Sequence, residues 1–214
     1  MKSGIIFEKC QKGDFTFVSK TNIASEEEIG RLVSIYQSSF AIFSSATPCL
    51  QSYTKEEIRS AIEDESNIKY IIFYGALPVG FGLATTNLDK VPWINAEFYQ
   101  SKFNEQMDAE ILFYFKGISI APEFQDWIIG TNGNKKVKLV AELFNFIARS
   151  FPSNSILAFD CSETANFWLC EAIMSSTGCF EMPQVNNGKT FIDRQIYHVL
   201  HKTGIPKNLF EGNG

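Results

Sequence analysis

The stretch ILFYFKGISIAPEFQ, residues 111–125, decides how this chain folds. Ile111 to Ile120 is the longest strand signal in the chain. Ala121-Pro122 ends it, because proline cannot donate to a sheet ladder. Gly117 inside the run predicts a bulge or a close backbone approach. A glycine- and asparagine-rich stretch follows, Gly130-Thr131-Asn132-Gly133-Asn134. From near Lys135 a long helix is expected, with Val137, Leu139, Val140, Leu143, Phe144 and Ile147 at helical spacing until Pro152 stops it.

Upstream, Asp14 to Lys20 alternates apolar and polar residues and reads as a first strand. Ser25-Glu26-Glu27-Glu28 and Thr54-Lys55-Glu56-Glu57 are two capping-box patterns, each opening a helix. Tyr70 to Tyr74 is apolar throughout and reads as a central strand. Leu77-Pro78-Val79-Gly80 is expected to turn, and Phe81 to Thr85 to return antiparallel. Residues 87–108 form a long connection carrying Trp93, Phe98, Tyr99 and Phe103. These aromatics should be buried, either walling a pocket or capping the sheet. Downstream, Ser155 to Phe159 is a strand, Asp160-Cys161-Ser162 leads into a helix bearing Phe167 and Trp168, and Gln195 to Leu200 is a last strand. The expected class is α/β (α+β): a mixed, mostly antiparallel sheet with helices on both faces. One domain over residues 1–214 is expected, with a flexible tail from residue 203.

Composition narrows the function classes. Of 214 residues, 45% are hydrophobic and 20% charged, enough to build a core and too balanced for collagen, coiled coil or wholesale disorder. The net charge of −5 offers no basic field to neutralise phosphates, so nucleic acid is not an expected partner. No apolar stretch is long enough to span a membrane, and membrane is likewise not expected. The cysteines are Cys10, Cys49, Cys161, Cys170 and Cys179, an odd count without a C-x-x-C, which fits free thiols. With only His198 and His201 as histidines, no metal site is expected. The resulting expectation is a cytoplasmic protein.

Ile118-Ser119-Ile120-Ala121-Pro122-Glu123-Phe124-Gln125 resembles the strand-and-proline stretch of the GNAT superfamily of acyl-CoA-dependent N-acyltransferases, and the order of elements matches that fold from about Asp14 to Lys202. The resemblance implies a strand that splays from its neighbour. Its free amides, at Ile118 and Ile120, would meet the pantetheine and thioester. It implies a diphosphate cradle from Gln125 through Gly130, Thr131, Asn132, Gly133, Asn134 and Lys135 to Lys136, at a helix N-terminus. The family loop is not reproduced in full: Ile128 stands where its first glycine falls, and Gly130 matches the second. The stretch Asn166 to Phe180 is similar to a second family segment. Asn166 would bond the pantetheine arm, and the family's tyrosine is replaced by Met174 or Ser175, depending on alignment. Where the family often has a strand glutamate, this chain has Tyr114, with Asp108 and Glu110 just upstream as possible bases through water.

The resemblance therefore implies a transferase moving an acyl group, most simply acetyl, from acetyl-CoA or another acyl-CoA to a small-molecule or peptide amine. Tyr114, Glu110 and Ser175 are its candidate catalytic residues. Two alternatives stay open: a non-catalytic module of the same fold that binds a ligand or partner, and transfer of a longer chain from a carrier protein. Neither the acceptor nor the oligomeric state is legible.

Overall fold

The computed structural model describes residues 9–46, 52–132, 135–162, 180–181, 189–192 and 195–202. Among them, nine strands form one sheet. The N-terminal part comprises β1 (Lys9–Lys12), β2 (Phe15–Lys20), β3 (Asn67–Tyr74), β4 (Leu77–Thr85) and β5 (Leu112–Ile120). A separate two-stranded hairpin, β6 (Ile128–Asn132) and β7 (Lys135–Lys138), follows. The large sheet is completed by β8 (Ile156–Ser162), β9 (Phe180–Glu181), β10 (Lys189–Ile192) and β11 (Gln195–Lys202). The order is β1-β2-β3-β4-β5-β8-β11-β10, with β9 also on β11. Every pairing is antiparallel except β5 with β8.

Among the described residues five α-helices accompany the strands: α1 (Glu26–Ala46), α2 (Lys55–Glu63), α3 (Ala96–Lys102), α4 (Asn104–Asp108) and α5 (Leu139–Ser150). Strand alternation sorts their packing. On β5, Phe113 stacks on Phe151 just past α5 at 4.1 Å and Phe115 meets Phe144 of α5 at 5.8 Å. Leu112 and Tyr114 turn the other way, into a second apolar cluster with Leu88, Val91 and Tyr99. α1 reaches that second side through Tyr36, which packs on Tyr53, which packs on Trp93. The expected mixed sheet with helices on both faces is what the chain forms.

Several local readings are corrected. The turn between β3 and β4 is made by Gly75 and Ala76, with Gly75 at φ 60, and not by residues 77–80. Pro78 lies within β4, where the register shifts and its carbonyl accepts from Arg31 Nε at 3.2 Å. A proline survives in a strand at such an irregularity. The Thr54 box closes on both sides, Glu57 N–H to Thr54 Oγ1 at 3.2 Å and Thr54 N–H to Glu57 Oε2 at 2.8 Å. The Ser25 hydroxyl accepts from Glu28 N–H, but the Glu28 carboxylate pairs with Lys20 at 2.6 Å. β1, unforeseen, is held by Lys12, whose ammonium pairs at 2.5 Å with the buried Glu142 of α5.

The largest correction concerns residues 128–138. They form the β6–β7 hairpin, with Gly130 opposite Val137, Thr131 opposite Lys136 and Asn132 opposite Lys135. Among the described residues of that stretch, strands stand where an open loop is expected, and α5 begins at Leu139 rather than near Lys135. Two-residue alternation of Val137 and Leu139 satisfies a short strand as well as a helix, which is why periodicity misplaced the boundary. The expected helix with Phe167 and Trp168, and the tail from 203, lie outside the described residues. Among the described residues, no helix is long and apolar enough to cross a membrane.

Candidate active site

β5 and β8 pair over only three positions, Leu112 with Ile156, Phe113 with Leu157 and Tyr114 with Ala158. Beyond Tyr114, β5 continues to Ile120 and β8 to Ser162 with no further pairing between them. The cause lies in β5. Its register against β4 shifts between Leu83 and Ala84, opposite Gly117 and Phe115, so Lys116 is the extra residue of a bulge. Gly117 takes φ 154, a backbone region that residues with a Cβ rarely occupy. The bulge bends β5 away and opens a seam.

The backbone direction along the seam follows from one hydrogen bond. Ala121 N–H donates to Val79 O at 2.8 Å, so the groups of Ala121 face β4. Antiparallel alternation then turns those of Ile120 and Ile118 away from β4, toward the seam. The Ile120 carbonyl agrees, because its partners are Ser39 Oγ at 2.8 Å and Gln125 Nε2 at 3.1 Å rather than β4.

At the seam's mouth stands a cluster drawn from five segments. The Tyr114 hydroxyl donates to Asp160 Oδ1. Trp93 Nε1 donates to the Tyr114 oxygen at 3.0 Å and to the same Asp160 oxygen at 3.2 Å. The Tyr53 ring lies edge-on to Trp93 at 5.2 Å, and Tyr99 edge-on to Tyr114 at 6.2 Å. Tyr53 N–H donates to the Tyr36 hydroxyl at 2.8 Å. The segment 87–108 can deliver these side chains because Asn95 caps α3, accepting from Glu97 N–H at 3.0 Å, which rolls Tyr99 onto the sheet. Of the four aromatics expected to be buried here, Tyr99 is buried and Trp93 and Phe103 are half-buried, whereas Phe98 is exposed.

Burial, reinforced by the Asp160 charge, drives the Tyr114 phenol far above its ordinary range. Burial does the same to Tyr53, with Tyr36 and Asp160 adding to it, and lifts Tyr36 to about 12. Tyr114 is therefore a fixed donor and cannot serve as a base near neutral pH. Asp160 is half-buried, and among the described residues no cation pairs with it.

The other sequence candidates are dispersed. Glu110 sits exposed in the turn before β5 at φ 56, four residues before Tyr114. It lines a cavity of about 270 Å³ with Thr86, Asn87, Leu88, Asp89 and Met107. Gln125 spends its amide on Ile120. Gly130, Thr131, Asn132 and Lys135 lie on the hairpin, and the first amide of α5, Leu139 N–H, is taken by Trp127 O at 3.0 Å. Gly133, Asn134, Asn166 and Ser175 lie outside the described residues. Sequence reading missed Asp160 and Tyr53. The available signal for Asp160 was a carboxylate directly after the buried run SILAF, at the carboxyl end of a strand, where open sheets place ligands.

No family model matches this chain, and no curated protein matches it in sequence. Solved structures do. A crystal structure of an uncharacterized protein from Bacillus halodurans superposes with a TM-score of 0.53 at 11% identity, covering 97% of this chain and 93% of that one. The structure of AAC(6')-Ib in complex with "Parmomycin and AcetylCoA" gives 0.52 at 13% identity, over 94% of this chain and 97% of that one. The GNAT domain of S. lividans PAT gives 0.52 at 11% identity, over 90% and 96%. The chain has the GNAT fold.

Proposed function

We propose that this protein is an acyl-CoA-dependent N-acyltransferase, moving an acyl group, most simply acetyl, to an amine. The observation that carries the reading is the seam between β5 and β8, with the backbone of Ile118 and Ile120 turned into it. An extended thioester arm fits such an edge as an additional strand would, and a free amide there stabilises the oxyanion that forms when an amine attacks the thioester carbonyl. In this reading Asp160 holds the incoming ammonium and takes its proton. Trp93 and Tyr114 fix one carboxylate oxygen and leave the other to the substrate. The base role thus moves from Glu110, which stands outside the cluster, to Asp160. The nitrogen's surplus proton in the adduct passes to the sulfur as the C–S bond breaks, so CoA leaves as its thiol and the amide remains. The diphosphate end falls to the hairpin, whose second strand reads KKVK, with Lys138 paired to Asp126 at 2.8 Å.

A second reading is a ligand-binding module without acyl transfer. It is favoured by the β6–β7 hairpin and by the Leu139 amide bonded to Trp127, which together occupy the place of a diphosphate loop. Calorimetric titration with acetyl-CoA and CoA separates the two. Saturable one-to-one binding of acetyl-CoA, with release of CoA when an amine is added, supports the transferase. Absence of binding at millimolar acetyl-CoA supports the module.

A further inference from the structure

Five large apolar side chains are exposed among the described residues, and four of them gather where β3 turns into β4 and where β6 begins. They are Tyr74, Leu77, Trp127 and Ile128, each 37–47% exposed. Tyr74 and Leu77 face each other across the β3–β4 turn. The Trp127 ring meets Tyr74 at 5.5 Å, Phe15 at 5.7 Å and Phe124 at 4.8 Å. Phe15 and Phe124 are buried and form the floor beneath the two exposed rings. The Trp127 backbone is tied down as well, because its carbonyl accepts from Leu139 N–H at the start of α5. Single exposed apolar residues are ordinary on a protein surface, whereas a contiguous patch marks a contact surface. Rings already packed on one another lose little freedom on binding, and tryptophan and tyrosine are the residues on which interfaces concentrate their energy.

Size and charge point to the occupant. Four side chains at such exposure present on the order of a few hundred Å², well below the ~800 Å² that each partner gives to a stable dimer. The patch therefore suits a short segment better than a second copy of the chain. Its rim is acidic: Asp14 precedes Phe15, Glu123 precedes Phe124 and Asp126 precedes Trp127, and all three carboxylates are exposed. Glu123 pairs with Arg31 at 3.1 Å and Asp126 with Lys138 at 2.8 Å, exposed contacts that exchange partners at little cost. Asp14 has no cation partner among the described residues. Its carbonyl accepts from Gly75 N–H at 3.1 Å, which sets it beside the β3–β4 turn. An acidic rim disfavours anionic lipid and nucleic acid and favours a basic segment. We propose that this patch docks a short segment of a partner protein in which a large apolar residue stands beside lysine or arginine. The apolar anchor lies on Tyr74, Leu77 and Trp127, and the cation meets Asp14. The proposal goes beyond the transferase reading and does not depend on it.

The test pans a random twelve-residue peptide library, displayed on phage, against the immobilised full chain, with Leu77→Ser as the counter-selection. The expected result is enrichment of peptides that carry tryptophan, phenylalanine or leucine next to lysine or arginine. The most enriched peptide, synthesised and titrated by calorimetry, should bind the wild type saturably. It should bind Leu77→Ser and Trp127→Ser at least tenfold more weakly. Asp14→Lys should cost at least threefold, a loss that shrinks as salt is raised. If Trp127→Ser fails to fold, Leu77→Ser and Asp14→Lys decide, since both side chains are exposed. No enrichment over the counter-selection, or enriched peptides without a basic residue, overturns the proposal. So does binding that survives both Leu77→Ser and Asp14→Lys. Sedimentation with vesicles of phosphatidylcholine and phosphatidylserine that Leu77→Ser abolishes would make the patch a lipid contact. A wild-type dimer that Leu77→Ser converts to a monomer would make it a self-interface. Either outcome likewise overturns the proposal.

Discussion

The Tyr114 hydroxyl on β5 donates to the Asp160 carboxylate on β8, across the point where the two strands cease to pair. This contact spans the mouth of the seam and decides which of the two groups can carry a proton. Asp160 is the acceptor, and Tyr114 is held as a donor by burial and by that negative charge.

Tyr114→Phe should retain the ring packing and lose the hydrogen bond, at a cost of about 1.5–3 kcal/mol for a bond to a charged group. It should also change the alkaline limb of stability. A phenol whose folded pKa is raised contributes stability that is complete below pH 10, and that stability falls as the unfolded chain ionises above it. Guanidinium midpoints between pH 9 and 11.5 should therefore fall less steeply in Tyr114→Phe than in the wild type. Identical slopes would show that Tyr114 ionises freely.

Trp93→Phe removes the indole N–H that two acceptors share and keeps an aromatic ring. Weaker amine binding with a modest stability loss, about 1–2 kcal/mol, is expected. Trp93→Ala should lose about 2–3 kcal/mol, below the ~3–5 kcal/mol of a fully buried tryptophan, because the side chain is only half-buried. A melting curve and an amine titration on each variant check this. A large stability loss with an unchanged amine profile would make Trp93 a cap and not a wall.

Gly117→Ala and Gly80→Ala fail for different reasons. A Cβ at Gly117 meets nothing within 4 Å, so its cost is the backbone at φ 154, about 1–3 kcal/mol, together with a weakened bulge. A Cβ at Gly80 would lie 2.5 Å from Ile120 Cδ1 and 3.1 Å from Ser119 O. Gly80→Ala should also cost about 1–3 kcal/mol, through overpacking. Adding Ile120→Val removes the nearest atom, so the double variant should be more stable than the sum of the single losses. Urea denaturation of the four proteins measures that coupling; strict additivity would refute it.

Lys116, the extra residue of the bulge, donates to Lys90 O at 3.3 Å and is held by burial at a pKa of about 8, Asp64 offsetting part of the effect. Its neutral amine should appear at least two pH units before that of an ordinary lysine. Competitive acylation with a small reagent, read by peptide mass spectrometry, should give Lys116 a reactivity midpoint near pH 8. A midpoint near 10 would contradict the burial.

Much of this fold was legible because its signals are local. Thr54 and Glu57 announce α2 through a closed cap, and Gly117 announces the bulge. The run Ile111–Ile120 marks the longest strand signal. What was not legible depends on partners distant in sequence. β1 is held by Lys12 reaching Glu142, 130 positions away, and nothing in KCQK itself indicates a strand. The hairpin at 128–138 shows its pairing only in three dimensions, since glycine and asparagine suit a loop and a turn equally. Ile118 and Ile120 were named from the resemblance, and their direction rests on Ala121 bonding to Val79. Asp160 escaped notice because its meaning comes from Trp93, 67 residues earlier, and a lone aspartate after a strand reads as a helix start.

The short parallel joint between β5 and β8 also bears on how the sheet opens. Three residue pairs and one added bond, Ile156 N–H to Ile111 O at 2.9 Å, join β1–β5 to the strands beyond. The neighbouring ladders are longer: β8 pairs with β11 over seven positions and β4 with β5 over six. Local opening takes the path that breaks fewest bonds, so amides of β8 and β11 are expected to exchange with solvent as one unit and those of β2 to β4 as another, which exchange measured residue by residue would check. The joint between these two units is also the edge of the proposed thioester site. A ligand bridging β5 and β8 would fuse them, and slowed amide exchange on both strands at once would register its arrival.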